Sequence, residues 1–199
     1  TSDSRSCPPN GCFPAATRRG KEPLGGQVLG SGPARNSAAG GARLRHAGGV
    51  TIVVRQATDD DVADLARLRR RSHEERHEPD DDGEDAYVRD FVAWWSRRAD
   101  RFRAAVAVDG DRLVGMGFLA VVDRVPVPGD VDRHHGDVQS MYVVPEHRDA
   151  GVGTRILRLL LDLAREAGCT RVEVHSGRRA RIFYEREGFE HLDRLLNHP

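Results

Sequence analysis

Residues 138–154, VQSMYVVPEHRDAGVGT, constrain the fold more than any other part of the chain. They read as a strand that stops abruptly and passes into a helix through a basic, glycine-bearing turn. Val138 to Val144 is apolar and β-branched, which predicts a buried strand, and Pro145 ends it because proline has no N–H to continue a ladder. Glu146, His147 and Arg148 follow, then Gly151-Val152-Gly153, then Ile156, Leu159, Leu160, Leu163 and Ala167 at helical spacing. The glycines therefore fall at a helix N-terminus, where unpaired N–H groups and the positive end of the dipole favour phosphate. Thr154 offers a hydroxyl and Arg148 a charge at the same place. Two glycines by themselves are better explained by tight packing of a turn, so the anion-site reading rests on their context.

Neither of the two familiar phosphate motifs is present. A P-loop needs lysine after the last glycine, and a dinucleotide fingerprint needs a third glycine where Ile156 stands. Arg148-Asp149-Ala150-Gly151-Val152-Gly153 instead resembles the Arg/Gln-x-x-Gly-x-Gly/Ala signature of the GNAT superfamily of acyl-CoA N-acyltransferases. Met141-Tyr142-Val143-Val144-Pro145 resembles that family's central strand. Ile182-Phe183-Tyr184-Glu185-Arg186-Glu187-Gly188-Phe189 resembles its Tyr-x-x-x-Gly-Phe segment, in the same order along the chain.

The remainder suits one domain with an appendage. The chain has 199 residues and a mass of 22.0 kDa. A formal net charge of +0 provides no global basic field to recruit nucleic acid. The longest apolar patches, such as Phe118 to Val122, fall far short of the roughly 18 to 20 residues of a membrane span. Cys7, Cys12 and Cys169 are too few and too scattered for a disulfide framework or a four-ligand zinc site, which points to a reducing cytoplasm. Residues 1–49 are rich in Gly, Pro, Ser, Ala and Arg, have only Asp3 and Glu22 as acids, and show no periodicity. They are expected to be a disordered, low-complexity extension, with 50–199 the folded domain. The extension lacks the amphipathic pattern of a transit peptide and the apolar core of a secretory signal, and Val50 is itself a candidate natural start.

Within 50–199 the pattern predicts a short strand at Thr51 to Arg55 and an N-cap at Thr58 followed by Asp59, Asp60 and Asp61. A first helix carries Val62, Leu65, Ala66 and Leu68, and a second, about Glu84 to Arg98, carries Tyr87, Phe91, Trp94 and Trp95. Arg103 to Val108 and Arg112 to Val122 form a hairpin about Asp109-Gly110-Asp111. Asp123 to Gly136 is expected to be a loop bordering the cleft. A strand at Arg171 to His175, a helix at Arg178 to Glu187 and a last strand at Glu190 to Leu196 complete the order β-α-α-β-β-β-α-β-α-β. That order matches the GNAT fold, an α/β fold whose mixed central sheet has splayed strands flanked by helices.

The resemblance implies how the site works. Met141, Tyr142 and Val143 would bond the pantetheine arm of acetyl-CoA through their backbone. Arg148, Asp149, Ala150, Gly151, Val152, Gly153 and Thr154 would hold its pyrophosphate. Tyr184 would protonate the departing thiolate, a role that an unperturbed pKa of about 10 allows; a core aromatic beside Phe183 is the alternative. Many relatives carry Asn seven residues before this tyrosine, and here that position is Gly177. Asp137 and Gln139 share one face of the central strand, where relatives place a general base, and only Asp137 can accept a proton; the alternative for it is a solvated strand-start acid. Glu173 and His175 are held in reserve.

The function implied is acetyl transfer from acetyl-CoA directly to a primary amine of a small molecule or peptide, without a metal, by a monomer or homodimer. The acidic stretch Glu74 to Asp85 would favour a cationic amine if it borders the acceptor entrance. Two other readings compete: an acyl-CoA sensor without catalysis, and a zinc peptidase through His73-Glu74-Glu75-Arg76-His77. The second is weakened by Arg69 to Arg71 before the motif and Pro79 after it, which leave no apolar helix face, and by Gly83 where a third histidine would be needed.

Overall fold

The sheet is organised about β4 (Arg112–Asp123), whose sequence RLVGMGFLAVVD is apolar on both faces and buried along most of its length. In this computed structural model the described residues are 43–45, 51–78 and 83–192. The chain divides into the units Thr1–Ser37 and Ala38–Pro199, and the first lies wholly outside the described residues. Around β4 run β1 (Arg43–Arg45), β2 (Thr51–Gln56), β3 (Phe102–Asp109), β5 (His134–Val143) and β6 (Cys169–Val174). The six-stranded sheet keeps chain order, β1-β2-β3-β4-β5-β6. Every neighbouring pair is antiparallel except β5 and β6, which are parallel and are joined through a helix.

Alternation along β4 assigns the two faces. Phe118 meets Phe91 and Trp95 edge-on, with centroids 6.2 and 6.1 Å apart, so α1 (Val62–Glu74) and α2 (Glu84–Ser96) cover the face of Met116, Phe118 and Ala120. The other face carries Gly115 and Gly117, and α3 (Val152–Glu166) lies directly on it. A Cβ on Gly115 would stand 2.8 Å from Ile156 Cδ1, and one on Gly117 would meet Met141 Sδ and stand 2.9 Å from Leu160 Cδ1, so a larger residue at either position would make these side chains move. Ile156, Leu157 and Leu160 are fully buried as a result. The helix α4 (Arg178–Arg186) follows β6.

Local chemistry explains the ends of these elements. Thr58 begins a short 3-10 turn, Asp59–Asp61, that leads into α1. The Asp61 carboxylate accepts the Thr58 N–H at 2.7 Å and two Arg55 bonds at 2.6 and 2.8 Å. Those bonds, the Arg55 guanidinium first among them, hold the Asp61 carboxyl down at about 2. α4 ends in a Schellman cap: Phe189 N–H donates to Tyr184 O and Gly188 N–H to Glu185 O, with Gly188 at φ +90°.

The structure departs from the sequence expectations in three places. β5 begins at His134, inside the expected 123–136 loop, because His134 and His135 pair with Asp123 and Val122 on one side and with Cys169 and Arg171 on the other. Arg43–Arg45, within the segment expected to lack structure, pairs with Thr51, Ile52 and Val53, while residues 1–42 and 46–50 lie outside the described residues. Glu190–Leu192 form no strand, and the rest of the expected last strand, 193–199, lies outside the described residues.

Candidate active site

The site is made where β5 leaves β6. Their parallel ladder ends at the pair Val138 and Val174, yet β5 continues to Val143, so Gln139 to Val143 have an open edge on that side. A bulge coincides with the parting. Gln139 opposes Phe118 and Tyr142 opposes Met116, leaving Ser140 and Met141 against Gly117 alone, and Ser140 takes φ +51°. Gln139 and Tyr142 therefore face the α1/α2 side together. Asp137, opposite Ala120, joins them there.

Immediately after β5, a 3-10 turn at Pro145–His147 leads to Gly151, the N-cap of α3, in the left-handed region at φ +72°. The first helical bond is Arg155 N–H to Gly151 O at 3.2 Å, so the amides of Val152, Gly153 and Thr154 precede the helical ladder. A Cβ on Gly151 would touch nothing within 4 Å, so the backbone there is bare. A Cβ on Gly153 would make only ordinary contacts, the nearest to Phe183 at 3.7 Å. The turn thus offers its amides beside the open edge of β5.

The side chains of this turn are engaged within the protein. Arg148 donates from Nε to Val143 O at 2.8 Å and from NH2 to Glu75 at 2.9 Å, instead of pointing back over its own turn. Thr154 gives its hydroxyl to Glu187 at 3.0 Å, and Arg158 meets the other Glu187 oxygen at 3.0 Å, which ties α3 to the end of α4. Met141 packs its sulfur toward Gly117 on the α3 face. Tyr142, 8% exposed, donates its hydroxyl to Glu75. Burial, and then that carboxylate, push the Tyr142 phenol up to about 12, while the Tyr142 bond first and Arg148 next hold Glu75 below the usual carboxylate range.

Tyr184 is 7% exposed on α4 and meets Phe183 and Phe189 edge-on at 5.0 and 5.5 Å. Burial raises its pKa, so the phenol stays protonated at neutral pH. It lines an open groove of about 980 Å³ with Leu161, Val174 and Phe189. That groove follows β6 and α4 and includes none of residues 138–154. Asp137 accepts a bond from Gln139 Nε2 at 2.6 Å and is the register partner of Glu173. His135 lies 3.9 Å from Glu173, its pKa lowered by burial and then by Arg124. Asp137, Gln139, Glu173 and His135 thus form a polar floor on the α1/α2 side. Gly177 is the N-cap of α4 and brings no side chain to it.

The His73-x-x-x-His77 pair straddles the end of α1, its rings stacked 4.4 Å apart. Among the described residues no group of His, Cys, Asp and Glu is arranged to hold a metal. In the acidic stretch, Glu74 pairs with Arg70 at 2.6 Å and Glu84 with Arg67 at 3.4 Å, while Asp80, Asp81 and Asp82 lie outside the described residues. Among the described residues no helix is long and apolar enough to cross a membrane. Sequence reasoning missed the Glu75, Tyr142 and Arg148 cluster and the role of Glu187. No local pattern signals contacts made across 67, 73 and 33 residues.

An open mixed sheet whose parallel pair parts beside a helix N-terminus defines the α/β class of the protein. Residues 62–189 match the family described as the acetyltransferase (GNAT) family, and the chain belongs to that family of transferases. Over 85 residues the chain is 30% identical to the glucosamine 6-phosphate N-acetyltransferase of Trypanosoma brucei brucei. The match covers 43% of this chain and 56% of that protein, so the chain spans little more than half the length of that relative. A predicted acetyltransferase from Clostridium acetobutylicum, solved with acetyl-CoA, superposes with a TM-score of 0.63 at 20% identity, over 74% of this chain and 96% of that one. The glucosamine-6-phosphate N-acetyltransferase of Arabidopsis thaliana superposes with a TM-score of 0.60 at 13% identity, over 75% and 98%. At these identities the two structures speak for the fold.

Proposed function

We infer that the protein transfers an acetyl group from acetyl-CoA directly to a primary amine. The observation that carries this reading is the open edge of β5 beyond Val138, lying beside the free amides of α3. An extended pantetheine would pair with the backbone of Met141 to Val143 as an added strand, and its pyrophosphate would meet the amides from Arg148 to Thr154 at the positive end of α3. Binding energy gained there positions the thioester at the bulge.

In this reading the acceptor ammonium first gives its proton to Asp137. The neutral nitrogen attacks the thioester carbonyl, and the tetrahedral intermediate collapses with cleavage of the C–S bond. The thiolate takes a proton from Tyr184, whose burial keeps it protonated until that moment; the proton that the attacking nitrogen sheds on becoming an amide restores the phenol, and the proton held by Asp137 leaves to solvent. The acceptor side carries Asp137, Glu173 and Glu75, which favours a cationic amine over a phosphorylated one.

Turnover of acetyl-CoA with a panel of polyamines, amino acids, peptide N-termini and glucosamine 6-phosphate tests the reading. Gly151→Glu is its sharpest control: it places a carboxylate and a strained Cβ among the amides, and should weaken CoA binding at least about a hundredfold. Calorimetry showing wild-type CoA affinity in that variant would remove the phosphate assignment.

A further inference from the structure

The Glu75 carboxylate and the Tyr142 ring form a cation site that the protein fills with its own Arg148. One Glu75 oxygen accepts the Tyr142 hydroxyl and the other accepts Arg148 NH2 at 2.9 Å, while the guanidinium carbon stands 5.6 Å from the centre of the Tyr142 ring. A carboxylate beside an aromatic face is an arrangement that holds organic cations, because charge and ring quadrupole act in the same direction.

The second hold on Arg148 is the Val143 carbonyl, at 2.8 Å from Nε. Val144 N–H donates to Val114 O, so 144 and 114 are a bonded pair of the antiparallel ladder. Val143, one residue before, then turns its own N–H and C=O away from β4, toward the opening beyond Val138. Arg148 therefore occupies both an acceptor on the open edge of β5 and an anionic position on the α1/α2 face. It thereby bridges the two. The Arg148 and Glu75 side chains keep 46% and 33% of their exposure, so exchanging this guanidinium for another cation demands little desolvation.

We propose that Glu75, with the face of Tyr142, is the subsite for a cationic group of the amine acceptor, and that Arg148 occupies it until acyl-CoA binds along the open edge of β5. The proposal deepens the acyltransferase reading and rests on it. Acyl-CoA competes with Arg148 for the Val143 carbonyl and offers the guanidinium its phosphates instead. Glu75 then keeps Tyr142 and gains an open oxygen, so the acceptor finds its subsite only after acyl-CoA is in place. No covalent bond is made or broken in this exchange.

Glu75→Gln tests it, because it keeps the size of the side chain and an acceptor for the Tyr142 hydroxyl while removing the charge. By calorimetry the variant should bind CoA about two- to five-fold more tightly than wild type, the range for releasing a partly exposed ion pair. With acetyl-CoA saturating, the KM for spermidine should rise about tenfold, as expected for losing one contact to a charged group, with kcat near wild type. Glu75→Asp should recover most of that loss, and the KM for anionic glucosamine 6-phosphate should not rise. CoA affinity that is unchanged or weaker in Glu75→Gln overturns the proposal, and so does an unmoved KM for cationic amines or a wild type that acetylates none of them. A lowered melting temperature with both quantities unmoved would make Glu75 only a pin between α1 and β5, and overturns it equally. Failure of the wild type to bind CoA at all would instead bring down the acyltransferase reading itself.

Discussion

Tyr184 has a structural task that is separable from the chemical one proposed for it. Its carbonyl receives the Phe189 N–H of the cap that ends α4, and its ring packs edge-on against Phe183 and Phe189. The Tyr-x-x-x-Gly-Phe spacing is thus the spacing of a Schellman cap with its hydrophobic contact, and the hydroxyl is left over for chemistry. Tyr184→Phe keeps the ring and the cap. We expect the melting temperature and CoA affinity to stay near wild type while kcat falls about 10²- to 10⁴-fold. Steady-state kinetics alongside calorimetry check this, and equal turnover would reduce Tyr184 to a packing residue. At this scale the sequence was readable wherever a role is local. Gly151 in its left-handed cap and Tyr184 in its cap segment each lie within a few residues of what explains them. Glu75 was opaque, because its partners are set by the packing of α1 over β5 and by nothing adjacent to it in the chain.

At the scale of elements, the entry to α1 is the most exposed to pH. Asp61 is held at about 2 by Arg55 and Thr58, well below the ordinary carboxylate value near 3.8. A depressed folded-state pKa contributes stability above the unfolded value, and that contribution disappears as pH falls from about 4 through about 2. Asp61→Asn should therefore cost about 1–2 kcal/mol at neutral pH, a figure kept modest because Arg55 remains partly in water. The difference in melting temperature between the two proteins should shrink on acidification toward pH 2. A constant difference across that window would contradict the assignment. The starts of α1 and α3 and the approximate limits of α2, β3 and β4 were legible because caps, glycine turns and apolar periodicity coincide there, whereas the end of α1 at Glu74 falls in a charged stretch without a stop signal. The start of β5 was not, because His134 and His135 are polar residues enrolled in the sheet by neighbours on both sides.

For the whole molecule, we propose that the catalytic unit is independent of the N-terminal extension. Deleting residues 1–42 should leave CoA affinity and melting temperature essentially unchanged. Deleting residues 1–49 also removes β1, whose pairing with β2 shields that sheet edge, and should lower the melting temperature by a few degrees, about 2–4 °C for each kcal/mol lost in a chain of this size. A large loss of CoA affinity on the shorter deletion would refute independence.

The Ser140 bulge decides how much of β5 is left unpaired. One inserted residue, held at φ +51°, carries a conformational penalty of about 1–2 kcal/mol for a non-glycine residue, and it stands where β5 parts from β6. Removing that single codon should restore regular pairing, letting β6 follow β5 further. The result should be a more stable protein, measured by thermal melting, that has lost CoA binding. The opening along β5 thus rests on a single residue of the strand, which trades stability for unpaired backbone.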